Sequence, residues 1–144
     1  MILTLTVECI SGAYLKETCL RIIQIDEKAN LYELHDAIQD AFEFGRDHPF
    51  EFFLANSASP WAKKQWLSGK EEWADKEDDF WRICLMDIWP TGRRKLYYLF
   101  DFGDNWIFEI RKKRGSKEPE HKIKYPRLIE AIGHNPEQYP RFEE

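Results

Sequence analysis

Residues 2–10, Ile-Leu-Thr-Leu-Thr-Val-Glu-Cys-Ile, alternate so regularly that Leu3, Leu5, Val7 and Cys9 share one face of an extended strand. Ser11-Gly12 opens a turn, and residues 18–25 form a second, β-branched strand. With Tyr14 at the centre of that turn, Cys9 falls opposite Cys19. Two small buried hydrophobes are the plain reading of this pair, and a redox couple is the alternative.

The pattern then changes period. Asn30-Leu-Tyr-Glu33 has the form of a capping box, and a helix follows over about 31–44. Its apolar stripe carries Leu31, Leu34, Ile38, Ala41 and Phe42, with Glu33, Asp36, Asp40 and Glu43 opposite. His35 lies inside the apolar stripe. Gly45 and Pro49 separate this helix from a short strand at 50–54.

Residues 56–80 are polar and charged, yet Trp61, Trp66, Trp73 and Trp81 punctuate this region. They read as a long excursion pinned to the body by its tryptophans, with the acidic run from Glu71 to Asp79 as a solvated face. The clearest hairpin follows, 96–101 and 106–112, around Phe102-Gly-Asp-Asn105. A two-residue turn there puts Tyr97, Leu99, Asp101, Trp106, Phe108 and Ile110 on one face. Arg111 to Lys124 holds seven Lys or Arg and two Glu and reads as an exposed connection. Pro126 at a first helical position and Gly133 beyond the last turn predict a short closing helix at about 126–132.

Two polar groups in apolar stripes stand out. Burying Asp101 or His35 alone costs several kcal/mol, so each needs a partner, either the other or, for Asp101, Arg21. A buried bond fixing helix to sheet is the plain reading; an acid–base dyad of His35 with Asp101 or Asp104 is the catalytic one. His35, His48, Asp101, Asp104 and Trp106 are the candidate binding residues, and no residue is assigned as catalytic. The four histidines lack metal-ligand spacing, so neither metal nor cofactor is expected. Asp101-Phe-Gly103 repeats the letters of a kinase magnesium motif without the glycine-rich loop that chemistry needs.

A formal charge of −5 with 26 acidic and 21 basic residues denies the chain a net cationic surface for duplex DNA. Three cysteines without a CxxC pair, and no apolar run near the length of a spanning helix, suggest a cytoplasmic, reduced protein away from membranes.

Leu34-His35-x-x-Ile38-Gln39-x-Ala41-Phe42, His48-x-x-x-Phe52 and Phe100-Asp-Phe-Gly-Asp-x-Trp106 together resemble the plasmid ORF-three-like family, named for the third open reading frame of an Ri-type plasmid. The resemblance covers about residues 1–140. It implies an α+β domain of uncharacterised biochemistry, some of whose members are labelled as insertion-element passengers or resolvases. Leu20-Arg21 stands where relatives commonly carry Trp-Arg, and Phe108 where they often carry histidine. A metal site built on that histidine would lose a ligand here. No serine sits among arginines as a serine recombinase requires.

The sequence therefore predicts a single domain over 1–144, α+β in class. It has a mainly antiparallel five-stranded sheet, the helix at 31–44 packed across it, the closing helix at 126–132, and a β-grasp-like order. A non-catalytic binding or adaptor module with a protein partner leads the functional readings. A nucleic-acid-associated accessory of mobile elements and an uncharacterised enzyme are the alternatives.

Overall fold

A computed structural model describes residues 1–45, 48–67 and 76–138. The strands are β1 (Ile2–Ser11), β2 (Cys19–Asp26), β3 (Phe50–Ala55), β4 (Gln65–Trp66), β5 (Lys95–Phe100), β6 (Trp106–Lys112) and β7 (Arg127–Ile132). Two helices, α1 (Leu31–Phe42) and α2 (Lys76–Arg82), interrupt them, with a single 3-10 turn at Leu85–Asp87. All seven strands join one sheet in the order β4-β3-β5-β6-β1-β2-β7, and every neighbouring pair is antiparallel.

The predicted class needs correcting. The chain is mostly β, with one seven-stranded sheet instead of an α+β five-stranded sheet with a packed helix, and its all-antiparallel pairing is not a β-grasp arrangement. The largest error is at 126–132. The predicted helix there is β7, hydrogen-bonded to the outer edge of β2. Local start and stop signals lost to a long-range partner, because the edge of β2 offers backbone partners to five of the six residues, with one bulge between Leu128 and Glu130. Gly133, at φ +83, turns the chain at the end of a strand instead of a helix.

The β1–β2 register sets Cys9 against Cys19, as the turn at Tyr14 implied. α1 begins at the expected cap: Asn30 accepts from the Glu33 N–H at 2.8 Å, and Glu33 Oε1 accepts from the Asn30 N–H at 3.4 Å. It ends at Glu43, whose left-handed conformation closes the last turn. The apolar side of α1 supplies Leu31, Leu34, Ile38 and Phe42 to a core shared with Leu5, Val7, Phe52, Tyr98, Phe100, Trp106 and Phe108.

The β5–β6 hairpin carries the second correction. Phe100 pairs with Trp106, so five residues, Asp101 to Asn105, form the loop. An odd loop shifts the facing set by one. Leu96, Tyr98 and Phe100 join Trp106, Phe108 and Ile110 in the core, while Tyr97 and Leu99 turn to the other face. Positive φ at Asp101 (58°) and Asn105 (51°) makes this loop, which the Asn105 N–H closes onto the Asp101 carbonyl at 2.7 Å.

The tryptophans divide. Trp81 stacks on Tyr32 with centroids 4.5 Å apart, and Trp66 packs against Phe53 at 5.1 Å. Trp61 is 93% exposed and clamps nothing, contrary to expectation. Trp73 and the acids at 71–75 lie outside the described residues. No helix among the described residues is long and apolar enough to cross a membrane.

Candidate functional site

The structure separates the residues that the sequence grouped. His35 is buried, and its Nδ1 meets the Tyr98 hydroxyl at 2.5 Å, not Asp101. Gln39 Nε2 donates to the same hydroxyl oxygen at 2.9 Å, so two α1 side chains converge on Tyr98. The imidazole stacks on Phe50 with centroids 3.7 Å apart. This network ties α1 to β5 through the core. Tyr98 and Gln39 were missed as partners because the predicted parity placed Tyr98 on the wrong face.

Asp101 pairs with His48, whose Nε2 lies 3.5 Å from Oδ2. Its other oxygen accepts the backbone N–H of Gly103 at 3.1 Å and of Asp104 at 3.3 Å. The carboxylate thus holds the loop and orients a histidine that is about one-third exposed. Asp104 contributes its carbonyl, which accepts the Ala13 N–H at 2.9 Å and joins this loop to the β1–β2 turn. Trp106 is wholly enclosed, and its indole Nε1 has no hydrogen-bond acceptor among the described residues. Its ring lies so close to Gly12 that a Cβ there would fall 2.1 Å from Cε3.

These contacts rank three substitutions. Asp101→Ala should lower stability by about 1–3 kcal/mol, because two N–H groups and His48 lose one acceptor and alanine tolerates positive φ poorly. Asp104→Ala should cost about 0.5 kcal/mol, since its carbonyl survives the change. Gly103→Ala should be similarly mild: Gly103 is not among the positive-φ glycines, and the added Cβ would sit 3.4 Å from Asp101 Oδ1. Urea midpoints decide, and an unshifted midpoint for Asp101→Ala would sink this account of the loop.

Arg21 is the other buried charge, 3% exposed, and Asp101 is not its partner. Its Nε donates to the Ala41 carbonyl at 3.2 Å, and Nη1 to the carbonyls of Leu20 (2.7 Å) and Ile132 (3.1 Å). Nη2 donates to Asn135 Oδ1. The guanidinium also sits over the Phe42 ring, 5.0 Å from its centroid. A cation near the carbonyl end of α1 is favourably placed against the helix dipole. Asn135 donates onward to Glu43 at 2.6 Å, and Gln138 accepts the Gly45 N–H at 2.7 Å, so residues 133–138 strap the end of the helix.

On the face away from α1, Glu8 and Glu109 stand directly opposite each other. Arg111 Nη1 reaches both, at 3.0 and 3.4 Å, and Lys95 reaches Glu109 at 3.7 Å. Partial burial works against the Arg111 charge, but its bonds to Glu8 and Glu109 outweigh that and hold its pKa above the usual arginine value. Burial, and then the Glu109 charge, push the neighbouring Tyr97 phenol upward.

The surface feature hidden from the sequence is β7 itself. It is one of the two edge strands, and Leu128, Ile129 and Ile132 are 47%, 44% and 51% exposed. A cavity of about 110 Å³ lies between it and α1, lined by Ile23, Ala37, Asp40, Ala41, Pro126, Arg127 and Leu128. Exposed Lys122 and Lys124 lead into the strand and meet no carboxylate among the described residues. The alternative of a strand at 127–132 was visible only in its β-branched isoleucines, a weaker signal than Pro126 and Gly133.

The family model described as plasmid pRiA4b ORF-3-like protein matches residues 4–138. A curated relative, the uncharacterized protein y4hQ of Sinorhizobium fredii (strain NBRC 101917 / NGR234), is 30% identical over 118 residues, which are 81% of this chain and 56% of that one. The chain thus spans about half the length of the curated relative it matches. The solved protein of unknown function MM3350 from Methanosarcina mazei Go1 aligns over 90% of this chain and 68% of its own, with a TM-score of 0.62 at 22% identity. That last likeness concerns the fold. With the family's model running from β1 through the strap that follows β7, the chain belongs to the plasmid pRiA4b ORF-3-like family.

Proposed function

We propose that residues 1–144 act as one non-catalytic binding domain whose working surface is the free edge of β7, and that its partner is an extended protein segment bearing apolar and acidic side chains. One observation carries the reading: an outermost strand presents three large aliphatic side chains, each more than two-fifths exposed. Sheets blunt such an edge with charge, proline, bulges or a covering element, because its unpaired N–H and C=O groups recruit another strand. β7 follows Pro126, carries Arg127 and Glu130 and has one bulge, yet still leaves its aliphatic side chains exposed. Strand addition uses those groups for affinity and alternate side chains for specificity. Lys122 and Lys124, at the entry to β7, favour acidic side chains on the incoming strand.

The test uses two synthetic peptides, one alternating valine with aspartate and one alternating valine with lysine, followed by fluorescence anisotropy. The aspartate peptide should bind with a dissociation constant on the order of 10–100 μM, and about tenfold more tightly than the lysine peptide. Leu128→Lys combined with Ile132→Lys should abolish this binding while leaving the melt unchanged. Equal binding by both peptides, or by the doubly substituted chain, would overturn the reading. Duplex DNA displacing the aspartate peptide at physiological salt would favour the nucleic-acid accessory instead. The enzyme alternative needed His35 beside Asp101 or Asp104. With His35 bonded to Tyr98, an acid–base role would pass to His48 and Asp101.

A further inference from the structure

We propose that Cys9 and Cys19 form a thiol–disulfide exchange site, which low-molecular-weight disulfides of the glutathione class oxidise to a cross-strand bridge. The two residues are direct partners across β1 and β2. Facing Cα atoms in an antiparallel pair are about 4.5–5.5 Å apart, inside the span a disulfide bridges.

Three further features make the pair more than two packed hydrophobes. Arg21 follows Cys19 on the same face of β2 and puts a buried cation beside the sulfurs. Each thiol interacts with the other. The neighbouring Cys9 thiol lowers the Cys19 pKa, while Cys19, and then burial, raise that of Cys9, whose Sγ faces the Ser11 carbonyl at 3.9 Å. Cys19, flanked by Arg21 and the less deeply enclosed of the two, is therefore the nucleophile of the pair. Finally, the cover over Cys19 is a glycine. A Cβ at Gly133 would fall 2.8 Å from the Cys19 Cβ, so any other residue at 133 would press on the cysteine. Gly133, Thr18 and His134 are all exposed, and Cys19 itself is 3% exposed.

The chemistry balances with the named oxidant. The Cys19 thiolate attacks one sulfur of oxidised glutathione, forming a mixed disulfide and releasing one glutathione thiolate. Cys9 then gives up its proton, its sulfur attacks the Cys19 sulfur, and the second glutathione leaves as thiolate. The protein loses two electrons and two protons, and one small disulfide becomes two thiols. Cys84 stands apart in sequence and structure, half-buried, with its thiol directed at the Arg82 carbonyl at 3.9 Å.

The experiment follows the folded chain carrying Cys84→Ser in a glutathione redox buffer, by intact mass and peptide mapping. The expected product has lost two hydrogens, maps to a Cys9–Cys19 bridge, and reverts with dithiothreitol. Adding Cys9→Ser should stop the reaction at a glutathione adduct on Cys19. Should that variant fail to fold, alkylation of the Cys84→Ser chain gives a second reading: Cys19 should react about tenfold faster than Cys9 at neutral pH. A bridge that forms only after urea is added, or equal alkylation of the two sulfurs, would overturn the proposal. Both readouts are independent of what binds β7.

Discussion

Arg21→Met should lower the unfolding free energy by about 3–5 kcal/mol, the largest loss expected from any single side chain in this fold. Methionine can keep apolar contact with Phe42, but it donates nothing to the carbonyls of Ala41, Leu20 and Ile132 or to the Asn135 side chain. Charge-assisted bonds contribute about 1.5–3 kcal/mol each when taken singly. The total falls short of their sum because the strap at 133–138 can lift and let water reach the stranded oxygens. Arg21→Lys should recover less than half the loss, since one ammonium cannot span four acceptors fixed by α1, β2, β7 and the strap. Urea unfolding measures both, and amide exchange should show β7 and the strap opening first. A lysine variant as stable as the parent would remove the argument.

Gly12→Val should cost about 3 kcal/mol or more. The added Cβ would fall 2.1, 2.5 and 2.7 Å from three atoms of the Trp106 ring, so the ring has to move. It has nowhere to go, being 0% exposed and packed against Phe44 with centroids 5.2 Å apart. The control is the double variant with Trp106→Leu, which removes the obstructing ring. Valine at 12 should then cost under about 1 kcal/mol beyond the leucine change alone, a coupling that only direct contact produces. An unshifted midpoint for Gly12→Val would mean that the β1–β2 turn does not rest on the Trp106 ring.

Where local chemistry decided the outcome, the sequence could be read. The Asn30–Glu33 box starts α1, the alternation at 2–10 defines β1, and the turn near Tyr14 is enough to set Cys9 against Cys19. Where distant parts of the chain decided, it could not. Pro126 and Gly133 are sound helix punctuation, yet β2, more than a hundred residues earlier, offered an edge that outweighed them. The hairpin at 101–105 failed for a smaller reason. Asp101 and Asn105 both accept the left-handed conformation, which turns a two-residue loop into a five-residue one and moves Tyr98 from the wet face to the core. That one residue of slip also hid the partner of His35 and misdirected Asp101 toward the helix when its partner is His48. The exposed edge strand β7 escaped notice because it belonged to the misread segment.

The strand order has a consequence for how the chain is made. β1 and β2 leave the ribosome well before their outer neighbours in the sheet, β6 and β7. Val7 waits for Ile110, and Leu20 for Ile132. Until those residues have been synthesised, the first hairpin carries two bare edges and an uncovered row of Leu3, Leu5, Val7 and Ile23, the kind of surface that recruits chaperones or a neighbouring nascent chain. α1 can cover the row early, since it follows β2 directly, but it cannot pair with an edge. Slowing translation between α1 and β6 would lengthen that exposure, and the yield of native protein should fall with it.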